Sequence, residues 1–329
     1  MSQNTSQHPF SIPESGKLFV PMTNDYLFRA LLQKNNYVLK GLLCSLLHLD
    51  ESEVASVTIT NPIQLGEAID DKEFILDINV DLNHCRIVNI EMQVINLQNW
   101  PDRSLCYLSR SLNQLKHGDD YQDLRPVIQI SLLDYTLFPE CPEFYATYQL
   151  LNVKTHTLYS DKVRLSVLGL TRIDLATEED RQYQIDHWAS LFSATTWEEL
   201  KMLAQDNDYI REASETVYHL TQEEKIRQRC QAREDYYHST NGLYRNYAKA
   251  QKELAEKDQQ LSEKDQQLSE KDQQLCEKDQ QLSEQSQQLS EQSQQLSEKD
   301  QQLAEMSALI DSLKSQLSEA NASNHSNES

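Results

Sequence analysis

Asp77, Glu91 and Gln93 lie on two stretches in which apolar and polar residues alternate, with a short turn between them. In the first, Phe74 to Leu82, the even positions are apolar and Asp77, Asn79 and Asp81 are odd. In the second, Ile87 to Ile95, Val88, Ile90, Met92 and Val94 are even, while Asn89, Glu91 and Gln93 are odd. Strict alternation is the period of a β-strand with one buried face. A hairpin turning through Asn83, His84 and Cys85 sets the two odd faces side by side. The expected product is an exposed sheet patch carrying two carboxylates and a carboxamide. Paired acidic oxygens suit a hard divalent cation such as Mg²⁺, which takes oxygen ligands and retains waters.

The elements around this hairpin can be read from spacing. Asp25 to Leu47 carries a helical apolar stripe that Asn35-Asn36 divides in two. Val57 to Thr60 is a short strand candidate. Pro101-Asp102 starts a helix whose buried face is expected at Leu105, Leu108, Leu112 and Leu115. Val127 to Asp134 reads as a central strand, with further strands at Phe144–Asn152 and Val163–Leu170. From Glu178 onward the pattern is helical and charged, anchored by Trp188, Leu191, Phe192, Trp197 and Leu200.

The ordered set of segments resembles the Rpn family of recombination-promoting nucleases, or putative transposases, within the PD-(D/E)XK superfamily. Asp77, the hairpin and Glu91-Met92-Gln93 are similar to the superfamily's D…(D/E)-x-K core, with Gln in place of Lys. Thr23 to Phe28, Asp70-Asp71-Lys72, Asn89 to Gln93, Arg103 to Ser109, Gly118 to Tyr121, Arg125 to Ile128 and Ile130 to Asp134 carry the rest, over about residues 20 to 240. The resemblance implies an α/β fold, a mixed sheet flanked by helices. It implies Mg²⁺ as cofactor, with Asp77 and Glu91 as metal ligands and the main-chain carbonyl of Met92 as a third. Gln93 would orient a water or phosphate oxygen by hydrogen bonds. Asp25 would complete the outer shell of the ion, or it simply favours a helix N-terminus. Lys72, Arg103 and Tyr107 are candidates for DNA contact; Arg103 and Tyr107 share a helix face at i, i+4.

Charge opposes this reading. The chain has 30 Lys and Arg against 52 Asp and Glu, a net charge of −22. Phosphate binding needs clustered cations, and the local candidates are Arg103, Arg110, Lys116 and His117. The rival expectation is therefore a catalytically weak or inactive member that works by interaction. Six scattered cysteines without metal spacing, a polar start and the lack of a long apolar run fit a cytoplasmic protein.

The expected organisation is a flexible stretch over 1–20, a nuclease domain over 21–175 and a helical extension over 176–250. A heptad-repeat segment over 251–315 and a disordered end over 316–329 follow. In the repeat Leu recurs every seven residues from Leu254 to Leu303, but with Leu at position d the a positions are Asp258, Asp265, Asp272 and Asp279. One Leu per heptad fits a single exposed helix, a weak homodimer through residues 251–310, or disorder.

Overall fold

The computed structural model describes residues 11–63, 65 and 77–325. Two compact units emerge, Met1–Asn246 and Tyr247–Ser329.

The first unit is built on a six-stranded mixed sheet in the order β1-β2-β3-β4-β6-β5. β1 (Val57–Ile59), β2 (Ile78–Leu82) and β3 (Arg86–Gln93) form an antiparallel meander. β4 (Val127–Leu133) lies parallel to β3 and to β6 (Leu158–Gly169), and β5 (Tyr145–Leu151) pairs antiparallel with β6 at the edge. The turn between β2 and β3 bends as expected: Asn83 and His84 both adopt the left-handed region, at φ 54° and 55°. The Asn83 side chain ties this turn to the chain before β1, accepting from the Ala55 and Ser56 amides and donating to Glu53.

The even residues of the hairpin, Ile78, Val80, Leu82, Val88, Ile90 and Met92, all enter the main core. They meet α1 (Asp25–Lys34), α2 (Asn36–Leu47), α5 (Ile185–Ser193), α6 (Trp197–Leu203) and α7 (Asp208–Gln222). Asn35 divides α1 from α2 by a double role: its backbone N–H closes α1, and its side-chain oxygen caps α2. Trp188, Leu191, Phe192, Trp197 and Leu200 are buried, as their spacing predicts. β4 is buried along its whole length, as befits a parallel strand covered on both faces.

The opposite face is covered by α3 (Trp100–Leu112), which crosses between β3 and β4 and packs Trp100 beside Leu133 and Val167. Here the expected helix face is shifted. Leu108 is buried, but so are Trp100 and Ser104, while Leu105 is 55% exposed. The helix begins one residue before Pro101, and Trp100, absent from the periodic Leu pattern, supplies the anchor. Residues 11–20 also differ from the flexible expectation: Ile12 and Val20 are buried, and the Leu18 amide donates to the Thr195 carbonyl.

After the short α4 (Glu178–Gln182) and α5 to α7, α8 runs Glu224–His325. Its part up to Asn246 belongs to the first unit. The second unit is helical with its leucines exposed. Its apolar spacing is not uniform: Leu303, Met306, Ile310, Leu313 and Leu317 follow alternating steps of three and four and are exposed. No helix among the described residues is long and apolar enough to cross a membrane.

Candidate active site

Register builds the site. Ile78 pairs with Ile90 across the hairpin, so one further step places Asp77 beside Glu91. Glu91 in turn pairs with Ser131 of β4, and Asn89 with Gln129. Asp77, Glu91 and Asn89 were expected on an exposed patch, but they are buried, at 8%, 5% and 2% exposure. The cause is non-local: α3 covers a face whose alternation resembles that of a solvated strand, and Arg103 from it reaches Glu91. Ser131 and Gln129 extend the polar floor and are fully buried. Asp81 is paired rather than solvated, its carboxylate 2.9 Å from Arg125.

Each side chain is held by a named neighbour. The main-chain carbonyl of Asp77 accepts from Arg29, buried in α1, and from Asn61 at 3.1 Å. Its Oδ2 accepts from Asn89, whose amide also reaches Asn79 at 2.7 Å. Glu91 Oε1 accepts from Gln93 Nε2 at 2.6 Å and from the Arg103 guanidinium at 2.7 Å. Arg103 also donates to Gln93 Oε1 at 3.0 Å and to the Tyr107 hydroxyl at 2.7 Å. Gln93 thus bridges Glu91 and Arg103, giving one partner its N–H and the other its oxygen.

The expected site residues come together unevenly. A cleft of about 80 Å³ is lined by Asp25, Glu91, Gln93, Arg103, Arg233 and Tyr236 among others. Asp77 is not on its wall and joins the group through Asn89 and through its charge on Glu91. Asp25 stands in the first turn of α1, behind the N-cap Asn24. Its carboxylate is engaged by Arg233 of α8 through both oxygens. Tyr107 touches Arg103 rather than the cleft. Lys72 lies outside the described residues.

Sequence reasoning put Asn89 on the polar face without a role, and missed the α8 wall and Arg29. Asn24 donates to the Cys230 carbonyl at 3.0 Å and to Glu234 at 2.7 Å, and the Asp25 amide donates to the Tyr237 hydroxyl at 3.2 Å. About 200 residues separate these partners, so no local pattern announces them. Arg29 carried a signal: it is four residues after Asp25, on the same face of α1.

The electrostatics follow from burial. Glu91 is pushed up to about 7, first by loss of solvent. Arg103 acts against this, Asp77 raises it further, Gln93 lowers it and Asp25 raises it. Arg29 is lowered by burial, with the Asp77 charge working the other way.

These residues fit a hard divalent cation. Asp77 Oδ1 and Glu91 Oε2 are buried and have no hydrogen-bond partner among the described residues. Buried carboxylate oxygens left in that state are costly unless a cation or proton meets them. Among the described residues no group of three or more His, Cys, Asp and Glu side chains converges to hold an ion. A bound ion would therefore rest on two carboxylates and take its remaining oxygens from main chain, water or phosphate, as Mg²⁺ commonly does.

The family model for the PD-(D/E)XK nuclease family transposase matches residues 22–246. No curated protein and no solved structure matches the chain.

Proposed function

The chain belongs to the PD-(D/E)XK nuclease family of transposases, and from that premise we propose that it is a Mg²⁺-dependent DNA endonuclease of the recombination-promoting, transposase-like class. The observation that carries the reading is the pair of buried, unpartnered oxygens on Asp77 and Glu91. They would hold the ion. When bound, it supplies Lewis-acid neutralisation of the scissile phosphate and an acidified water as nucleophile.

The protein's own groups do the rest. Asn89 fixes the Asp77 carboxylate, and Arg29 fixes the main chain behind it. Gln93 takes the place of a lysine. Being neutral it adds no charge, but its amide holds Glu91 in one orientation and gives Arg103 an acceptor. Arg103 is the half-buried cation that a phosphate entering the cleft meets, held at the ready by Tyr107. Its fork suits phosphate oxygens. Asp25 and Arg233 close the far wall as a neutral pair. A homodimer through residues 251–310 would bring two such sites to one duplex, with the stepped apolar spacing at the end of that stretch, Leu303 to Ile310, continuing to Leu317.

The test is incubation of supercoiled plasmid with the purified full-length chain, with Mg²⁺ or with chelator, beside Asp77→Ala. We expect nicked and linear products only from the parent with Mg²⁺. A folded parent that leaves plasmid and single strands intact with Mg²⁺ or Mn²⁺ would instead favour the interaction-protein reading.

A further inference from the structure

A chain of net charge −22 must meet DNA on some surface that its acids spare. One such stretch starts at the cleft. From Tyr236 to Lys252 the sequence contains no Asp or Glu, although the chain has 52. The same stretch carries Arg245, Lys249 and Lys252 and four of the fifteen tyrosines.

Its part within the first unit has a defined layout. Arg233, Tyr237, Thr240 and Tyr244 follow one another at steps of four, three and four, so they share one face of α8. His238, Asn241 and Arg245, at steps of three and four, form the adjacent face and are exposed. Arg233 and Tyr236 line the cleft, while Tyr237 is buried against the start of α1. On either side of this anchor a ring comes out: Tyr236, with Arg233 over its ring at 4.8 Å, is 44% exposed and Tyr244 is 42% exposed. The arrangement is a pair of exposed rings, Tyr236 at the cleft and Tyr244 two turns on, with the cation Arg245 and the polar His238 and Asn241 on the adjacent face.

We propose that this part of α8, from Tyr236 to Asn246, is the track along which an unpaired DNA strand runs to or from the cleft. Tyr236 and Tyr244 stack its bases, and Arg245 with its exposed neighbours meets its phosphates. Interleaved rings and cations bind single strands in this way, because every base offers a stacking face. The inference rests on the nuclease reading for its partner but not for its test.

The test is fluorescence anisotropy with a labelled single-stranded oligonucleotide and with the matching duplex, using the full-length chain in Ca²⁺ to hold the site in an ion-loaded form. Tyr244→Ala should weaken single-strand binding at least about five-fold, the loss of one stacked base. Tyr244→Phe should retain it. Arg245→Gln should weaken binding and lower the slope of log affinity against log salt by about 0.7. Duplex binding should respond less to Tyr244→Ala. Circular dichroism checks that the variants remain folded. Parental affinity in both Tyr244→Ala and Arg245→Gln would overturn the track. So would a Tyr244→Ala loss on duplex as large as that on single strand, or a parent that binds no single strand. A parent that binds through these residues yet never cleaves would leave the track standing and remove the nuclease reading.

Discussion

At the scale of residues, the proposed site rests on two carboxylates, each with a buried oxygen that has no hydrogen-bond partner among the described residues. Asp77→Ala or Glu91→Ala should abolish cleavage while leaving the melting temperature of the metal-free protein unchanged or slightly raised, because like charges are then relieved. Retained cleavage by either variant contradicts the ligand assignment. Glu91 also predicts a pH dependence. Its folded pKa is raised to about 7 from 4.5, so the folded state holds the proton more tightly. The stability this provides is complete below about pH 4.5 and is lost as pH rises through 7. Urea titrations of metal-free protein should therefore show stability falling between pH 5 and 8 by on the order of 3 kcal/mol from this group. Glu91→Gln should flatten that decline, and parallel curves for the two proteins would refute the assignment. Asp77, Glu91 and Gln93 were legible in sequence because a strand announces its faces at a period of two. Their burial was not, since the covering elements are remote. Arg29 and Asn89, which hold Asp77, had no role assigned from sequence, and Arg233, which holds Asp25, lies too far along the chain for a local pattern to announce it.

At the scale of elements, the hairpin and the divided first helix were legible because each is set by local chemistry. Asn83 and His84 accept the left-handed turn, and Asn35 ends one helix while starting the next. α3 was placed correctly but rotated, since Leu105 faces out and Trp100 faces in. The Leu spacing alone held no record of the non-Leu anchor. α8 was read as an extension, yet its early turns latch α1 through Asn24, Asp25, Arg233 and Tyr237. Arg233→Met would leave the Asp25 carboxylate buried without its cation. Such a loss costs about 3–5 kcal/mol when one partner of a buried pair is removed. Adding Asp25→Asn should recover most of it in chemical denaturation, because the stranded charge is then gone. A double variant as unstable as Arg233→Met alone would show that the pair is not the source of the loss.

At the scale of the whole molecule, the acidity is unevenly spread. Residues 251–329 hold 17 acidic residues and 7 lysines, contributing −10. Every candidate ligand lies in the first unit, so a chain ending near residue 250 should keep its fold and its hydrolysis. If residues 251–310 pair two copies, that truncation should shift plasmid products from linear toward nicked, with a lower sedimentation mass. Unchanged mass and product ratio would refute the dimer. A chain ending before Arg233 should lose activity, since one wall of the cleft goes with it. The central claim, that Asp77 and Glu91 together hold one divalent cation, is tested most directly by calorimetric titration of Mg²⁺ or Mn²⁺ into the full-length protein without DNA. One ion should bind per chain, and binding should be lost in Asp77→Ala and in Glu91→Ala while the folded baseline is kept. Undiminished ion binding in either variant would contradict the claim.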